Sequence, residues 1–280
     1  MITEEQITAY LGAIEREWAN NQSVEVYKFC LSALDMTTLS PCDTEASVKA
    51  FAERVMQLSA AFPELTNVAS ICVYPPFVES VGLVVDGSSM RITGVAGGFP
   101  SSQTFLEVKA LEVAMAIESG ADEIDTVIPV GLILEGRYDE ATSDIRLLRE
   151  ECGSDVTLKV ILESGELRTP ELIYAASQAA MEGGADFIKT STGKVAISAT
   201  PESAIVMAQA IRDFYNKSGV RVGLKIAGGV RTAADAALYY TIVEHILGSE
   251  WLTPQLFRIG ASSLGNELLS AIVGKPVTHF

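Results

Sequence analysis

Histidine is scarce in this chain. Only His245 and His279 occur among 280 residues, and neither lies in the motifs described below. Two isolated histidines argue against a histidine-ligated metal site and against a serine–histidine triad. The sequence therefore predicts chemistry carried by lysine and carboxylate groups, with no metal and no cofactor.

Paired cysteines and long apolar runs are also missing. The four cysteines, Cys30, Cys42, Cys72 and Cys152, form no C-x-x-C pair, which favours reduced thiols in the cytoplasm. No apolar stretch is long enough to span a membrane, and the acidic start MITEEQITAY lacks the core of a signal peptide. We therefore expect a cytoplasmic protein that does not act at a membrane.

Positive charge is in deficit, since the formal net charge is −16. Such a surface argues against nucleic acid as a partner. It leaves room for a small anionic ligand, because local lysines and backbone N–H groups can still form a positive pocket.

The chain alternates strand-like and helix-like segments. A length of 280 residues is usual for one α/β barrel, so we predict a single TIM (β/α)8 barrel over residues 1–280. We expect an N-terminal helical extension in residues 1–30, with an extra helix over 3–19, and a C-terminal tail at 275–280. The predicted strands are LSALDMTTL, VASICVYP, RITGVAGGF, DEIDTVIPV, VTLKVILES, DFIKTST, VRVGLKIAG and QLFRIGASS.

The main alternative fold is an open, doubly wound sheet. That fold usually carries a glycine-rich turn after its first strand. Here the turn is Ser40-Pro41-Cys42-Asp43, without glycine. An internal repeat, ESGADEIDTV at 118–127 and EGGADFIKTS at 182–191, instead favours tandem strand–helix units, with its glycines ending helices.

Two lysines, Lys189 and Lys225, each lie at the downstream end of a buried strand. Alternation along the strands predicts that they share one interior face with Asp125 and Lys159. Barrel enzymes work at the C-terminal face of their strands, so this cluster is a candidate active site. A charge-neutralising structural network is the alternative, but three lysines against few carboxylates favour function. One cation lowers the pKa of the other, and a neutral amine can then form an imine.

Glycine-rich turns follow the last two strands. AGGVRT at 227–232 and GASS at 260–263 open helices, and STGK at 191–194 follows strand six. N–H groups at helix starts bind anions, and barrels often bind phosphate at these two loops. We therefore expect a phosphate site there, although each turn alone could be only a tight connection.

In this order, the motifs ALDMTTL, ADEIDTVIP, LKVILESGEL, ADFIKTSTGK, VGLKIAGGVR and GASSL make the chain resemble the deoxyribose-phosphate aldolase family from about Leu31 to Leu264. The resemblance implies a class I barrel aldolase without metal. It implies reversible cleavage of 2-deoxy-D-ribose 5-phosphate to D-glyceraldehyde 3-phosphate and acetaldehyde.

The resemblance also implies residue roles. Lys189 matches the Schiff-base lysine, Lys225 the lysine that holds its pKa down, and Asp125 the proton-transfer group; the residues alone do not order the two lysines. The matches to substrate-binding positions are Asp35, Lys159, Gly193, Lys194, Gly228, Gly229, Gly260, Ser262 and Ser263. Lys159 is either catalytic or structural.

Three departures from the family pattern concern loops and the tail. Some members end in a tyrosine that assists protonation, whereas this chain ends in Phe280, which has no hydroxyl group. Ile226 replaces a frequent proline, and FPSSQ replaces a more common FPxG loop. Another lysine-dependent barrel aldolase of a phosphorylated sugar, or a non-catalytic sugar-phosphate-binding barrel, stays an alternative. The sequence does not set the oligomeric state, and a homodimer is kept as a hypothesis.

Overall fold

Eight parallel strands form a closed barrel in the computed structural model, which describes residues 2–280. Each strand pairs with its neighbours in chain order, and β8 closes the barrel on β1. This confirms the predicted fold class. The strands are β1 Leu34–Thr37, β2 Ser70–Val73, β3 Arg91–Val95, β4 Glu123–Val127, β5 Thr157–Ile161, β6 Phe187–Lys189, β7 Gly223–Ala227 and β8 Phe257–Ala261.

Helices surround the barrel of strands. They are α1 Glu4–Asn21, α2 Val24–Ser32, α3 Glu45–Met56, α4 Leu58–Ala61, α5 Val78–Val85, α6 Leu106–Glu118, α7 Val130–Leu134, α8 Tyr138–Cys152, α9 Ser164–Leu167, α10 Pro170–Glu182, α11 Pro201–Ser218, α12 Ala233–Leu247 and α13 Leu264–Val273. Within residues 2–280, none of them is both long and apolar enough to cross a membrane.

Threonine caps set where several of the helices begin. The side chains of Thr44, Thr169, Thr200 and Thr232 each accept a hydrogen bond from a backbone N–H in the first turn of the helix that follows. These bonds satisfy N–H groups that have no partner within the helix, so they stabilise the start of each crossover. Each of these helices begins at the residue after its threonine cap.

The first strand is shorter than predicted. The predicted run began at Leu31, but Val24–Ser32 is a second N-terminal helix, capped by Ser23, and the strand begins at Leu34. The apolar residues Cys30 and Leu31 are fully buried on this helix. A short apolar run does not by itself distinguish a buried strand from the end of a buried helix.

The repeated glycines end helices, as expected. Gly120 follows α6 and Gly184 follows α10, with φ of 102° and 97°. Residues with side chains rarely adopt such left-handed conformations, which favours glycine at both positions. Each turn directs the chain into the strand that carries Asp125 or Lys189.

The C-terminal tail packs outside the barrel. The Phe280 ring lies against Gly265 at the start of α13, where an added Cβ would be 2.5 Å from the ring. Asn266 binds the tail from both directions, accepting from the backbone N–H groups of His279 and Phe280 and donating to the Phe280 carbonyl oxygen. The tail therefore lies against α13 and does not line the cavity at the strand ends.

Candidate active site

Strand register brings the four predicted interior charges together. Asp125 of β4 pairs in register with Lys159 of β5, and Lys189 of β6 pairs with Lys225 of β7. All four residues are buried, with exposures of 0–3%. Residues two apart on a strand share a face, so the barrel interior holds these side chains in one cluster.

Asp125 is the centre of this cluster. Its Oδ2 lies 2.7 Å from the ammonium nitrogens of both Lys189 and Lys225, and its Oδ1 lies 3.0 Å from that of Lys159. Burial acts against the carboxylate, but the three lysines outweigh it and hold the pKa of Asp125 well below its usual range. Asp125 is therefore an ionised acceptor that fixes the positions of all three amines.

Lys189 and Lys225 differ in their environment. Burial lowers the pKa of Lys189; Asp125 opposes this effect, and the charge of Lys225 adds to it. Burial acts against the charge on Lys225 too, but Asp125 and Asp35 outweigh it and raise its pKa. The Lys225 nitrogen is 2.5 Å from Asp35 Oδ2 as well as 2.7 Å from Asp125. The structure thus distinguishes the two lysines, which the residues alone could not do: Lys189 is the amine that more readily loses its proton.

Lys189 is also the amine that can be reached. It lines a cavity of about 460 Å³ at the C-terminal ends of the strands. Asp125, Lys159 and Lys225 do not line this cavity; they lie beneath its floor. A carbonyl compound in the cavity would meet the Lys189 nitrogen first.

The walls of the cavity come from the loops after β1, β6, β7 and β8. Among the predicted phosphate-site residues, the lining includes Gly193, Lys194, Gly228, Gly229, Gly260, Ser262 and Ser263. Arg231 also lines it, a residue that sequence reasoning did not select although it lies within the quoted AGGVRT motif. Lys194 and Arg231 thus supply positive charge in a chain with a net charge of −16.

Close packing against the side chain of Ser198 explains why one of these positions is a glycine. Gly228 has φ of 79°, and an added Cβ would lie 2.5 Å from Cβ of Ser198. Ser191 Oγ donates a 2.6 Å hydrogen bond to the carbonyl oxygen of Ala227, which ties the β6 loop to the β7 loop. The two loops therefore form one wall of the cavity.

Asp35 and Lys159 lie deeper than a substrate-binding position implies. Asp35 is fully buried and contacts Lys225 and Arg258. Lys159 is 2.6 Å from Glu123 and 3.0 Å from Asp125. The structure therefore places both residues in contact with other charged side chains and not in the cavity lining.

Sequence reasoning missed one charge at the bottom of the barrel, Arg258. Arg258 of β8 is buried, and it pairs with Asp35 at 2.5 Å and with Glu123 at 2.9 Å. Alternation on β8 could have found it, because Arg258 is two residues before Gly260 and thus on the same face. The carboxylates of Asp35 and Glu123 have lowered pKa values: burial opposes ionisation, but Arg258 and the lysines outweigh it.

Two further polar groups lie near the site. Glu163 follows β5, where its carboxylate accepts hydrogen bonds from the N–H and hydroxyl groups of Thr192; burial raises the pKa of Glu163. Cys72 of β2 is buried, and burial raises the pKa of its thiol. A thiol of raised pKa is predominantly protonated near neutral pH.

A reachable lysine above buried ion pairs, beside a glycine-rich positive pocket, defines the site of a barrel enzyme that works on a small anionic carbonyl compound. The family model for DeoC/LacD family aldolases matches residues 29–264. The chain belongs to this aldolase family, and it is an enzyme of the lyase class.

Individual relatives agree with this assignment. Human deoxyribose-phosphate aldolase is 40% identical over 274 residues, which cover 94% of this chain and 84% of that protein. The bovine enzyme of the same name is 40% identical over 261 residues, or 90% and 80% of the two chains. Among solved structures, a tetrameric deoxyribose phosphate aldolase from Aeropyrum pernix has a TM-score of 0.69 at 25% identity, covering 91% of this chain and 97% of that one.

Proposed function

We propose that this enzyme reversibly cleaves 2-deoxy-D-ribose 5-phosphate to D-glyceraldehyde 3-phosphate and acetaldehyde through an imine on Lys189. The observation that carries the proposal is the position of Lys189, an amine of lowered pKa that lines the cavity while its charged partners lie beneath. The names of the relatives supply the substrate.

The reaction begins at the neutral Lys189 amine. Its nitrogen attacks the aldehyde carbon, C1, of the open-chain sugar, and loss of water leaves a protonated imine. Removal of the proton from the C3 hydroxyl breaks the C2–C3 bond, and that electron pair moves toward the imine to form an enamine. Glyceraldehyde 3-phosphate leaves, C2 takes up a proton, and water hydrolyses the imine to release acetaldehyde.

Asp125 is the group that we assign to proton transfer. It is ionised, and its Oδ2 is 2.7 Å from Lys189. Because Asp125 lies beneath the cavity, we propose that it exchanges protons with the substrate through a water molecule next to Lys189. Lys225 stays charged and lowers the pKa of Lys189 further, which adds to the effect of burial.

The phosphate group of the substrate would bind among the glycine-rich loops that line the cavity. Lys194 and the glycines of the β6 and β7 loops line this region together with Ser262 and Ser263. An ammonium group and open backbone N–H groups favour a dianion. For Asp35 and Lys159 we propose an indirect role, because their contacts orient the lysine cluster.

A substrate panel tests the assignment. Purified enzyme is incubated with deoxyribose 5-phosphate, deoxyribose and other phosphorylated sugars, and released aldehyde is measured with a coupled dehydrogenase. We expect cleavage of deoxyribose 5-phosphate, and loss of this activity in Lys189→Met. Preference for another phosphorylated sugar would favour a different barrel aldolase, and binding without cleavage would favour a sugar-phosphate-binding protein.

We further propose that the enzyme is a homo-oligomer in the cytoplasm. Four apolar side chains on one side of α6 are about half exposed or more, namely Phe105, Val108, Leu111 and Met115. A two-fold axis brings the same surface of two subunits together, so this apolar face would be buried against its copy, and the A. pernix relative is described as tetrameric. Light scattering should show a dimer or larger assembly that Leu111→Glu dissociates; a monomeric wild-type protein would refute this.

The four cysteines are free, which favours the cytoplasm.

A further inference from the structure

The charges that form ion pairs inside the barrel are unequal in number. Among residues 2–280, the buried interior side chains joined by ion pairs comprise three carboxylates, Asp35, Glu123 and Asp125, and four cations, Lys159, Lys189, Lys225 and Arg258. If all seven were ionised, one cation would have no carboxylate to balance it. An excess charge in a buried site is unfavourable, so one of the four cations, the three lysine ammonium groups and the arginine guanidinium, is driven to lose a proton.

Arg258 cannot be the group that loses it. A guanidinium stays protonated in proteins, and this one is fixed by two carboxylates and by a bond from Nε to the Pro254 carbonyl oxygen. Its Cζ also lies 5.8 Å from the centre of the Phe187 ring. Arg258 therefore supplies a permanent positive charge at the bottom of the barrel.

Two of the lysines each contact at least two carboxylates. Lys225 lies between Asp35 and Asp125, and Lys159 contacts Glu123 and Asp125 closely. Lys189 has one carboxylate partner within ion-pair distance, Asp125, which it shares with both of these lysines. With Arg258, Lys159 and Lys225 charged, three cations balance three carboxylates, and Lys189 is the amine left over.

We propose that Arg258 is a positioning residue whose fixed charge completes the balance of the barrel interior and so leaves Lys189 as the neutral, reactive amine. This inference rests on the proposed imine chemistry and adds a residue to it. Arg258 lies beneath the cavity and does not line it, so it acts through Asp35 and Glu123.

Other charged groups face the same region, and the variants used in the test leave these groups unchanged. At the mouth, Glu163 is bound to Thr192, and Lys194 lines the cavity. At the bottom, the half-exposed Arg91 lies 3.0 Å from Glu123. Cys72 of β2 completes the set of titratable neighbours of Lys189. Solvent screens Lys194 and Arg91, which are exposed or half-exposed. Glu163 is buried, but among the described residues it has no cation within ion-pair distance, and it is unchanged in every variant of the test.

The test is the pH dependence of kcat/KM for deoxyribose 5-phosphate in the wild type and four variants. Its acidic limb reports the group that must be deprotonated in the free enzyme, which is Lys189 here. In Arg258→Gln, three lysines face three carboxylates, so Lys189 keeps its proton and the limb should move up by about one pH unit. In Glu123→Gln the excess of positive charge grows, and the limb should move down.

The double variant separates charge from damage to the fold. Arg258→Gln with Glu123→Gln removes one charge of each sign, so the limb should return to its wild-type position, and Arg258→Lys should also leave it in place. The double variant can also be measured if Arg258→Gln or Glu123→Gln alone does not fold. Removing both partners of a buried ion pair is better tolerated than leaving one charge buried without its partner.

If Arg258 has this role, the acidic limb must move up in Arg258→Gln and down in Glu123→Gln. A structural defect lowers activity at every pH, whereas here Arg258→Gln should lose about tenfold below the limb and recover at alkaline pH. An unmoved limb in Arg258→Gln, or shifts in the same direction in both single variants, would overturn the role of Arg258. Absence of a borohydride-trapped acetaldehyde adduct in the wild type would instead overturn the proposed function.

Discussion

Replacing Asp125 by asparagine should separate imine formation from proton transfer. The carboxylate accepts from Lys189 and Lys225 at 2.7 Å and from Lys159 at 3.0 Å. An asparagine keeps one acceptor oxygen and turns an NH₂ group toward an ammonium group. Breaking a buried ion pair by removing one partner costs about 3–5 kcal/mol, so the variant should be clearly less stable.

The catalytic effect follows from the two roles of the carboxylate. The charge of Asp125 opposes the lowering of the pKa of Lys189, so its loss favours the neutral amine further, and the variant can still form the imine. Loss of the proton-transfer group should lower the rate of proton exchange by about 10²–10⁴-fold. The variant should therefore still form a reducible adduct while it turns over very slowly.

The assay compares two measurements on the same folded protein. Exchange of the methyl hydrogens of acetaldehyde with deuterium from D₂O is followed by NMR, and the adduct is measured by mass spectrometry after borohydride reduction. The exposed Asp155→Asn variant is the matched control and should behave as wild type. Exchange within about threefold of wild type, or a folded Asp125→Asn protein that forms no adduct, would refute the assignment of Asp125.

Three further predictions concern stability and binding. Gly223→Ala would place a Cβ 2.3 Å from the buried Phe187 ring and should cost about 1–3 kcal/mol in denaturant unfolding, whereas Gly131→Ala, in open space on α7, should not; equal stabilities would contradict this packing. Lys194→Ala should raise KM for deoxyribose 5-phosphate about 10–100-fold but leave that for unphosphorylated deoxyribose unchanged; equal effects on both would remove Lys194 from the phosphate site. The pKa values of Asp35, Glu123 and Asp125 are lowered in the folded state, so unfolding takes up protons and stability should fall by up to about 4 kcal/mol per pH unit once the pH drops below about 4; a melting temperature that stays constant from pH 5 to pH 3 would contradict it.

Much of the fold could be predicted because strong local patterns and the barrel geometry agree. Buried strands ending in charged residues, threonine caps and helix-ending glycines all mark strand–helix units. Leu31 and Ser32, at the end of the helix Val24–Ser32, were predicted as strand because the apolar Leu31 continues into a strand-like run. There the choice between helix and strand depends on which surface the residues pack against.

The candidate site was predictable in its composition but not in its depth. The alternation of side chains along the strands placed Asp125, Lys159, Lys189 and Lys225 on one face, and the structure brings them together. This alternation does not show how far down the barrel each side chain lies, or which cation faces which carboxylate. That information comes from the closed barrel, where β8 lies next to β1 and Arg258 can reach Asp35.

The trapping of the imine tests the central proposal most directly. The enzyme is incubated with acetaldehyde or deoxyribose 5-phosphate, reduced with borohydride, digested and mapped by mass spectrometry. We predict a single modified lysine, Lys189, because it is the lysine of lowered pKa that lines the cavity. An adduct on Lys225 or Lys159, or no adduct from an enzyme that cleaves the substrate, would contradict it.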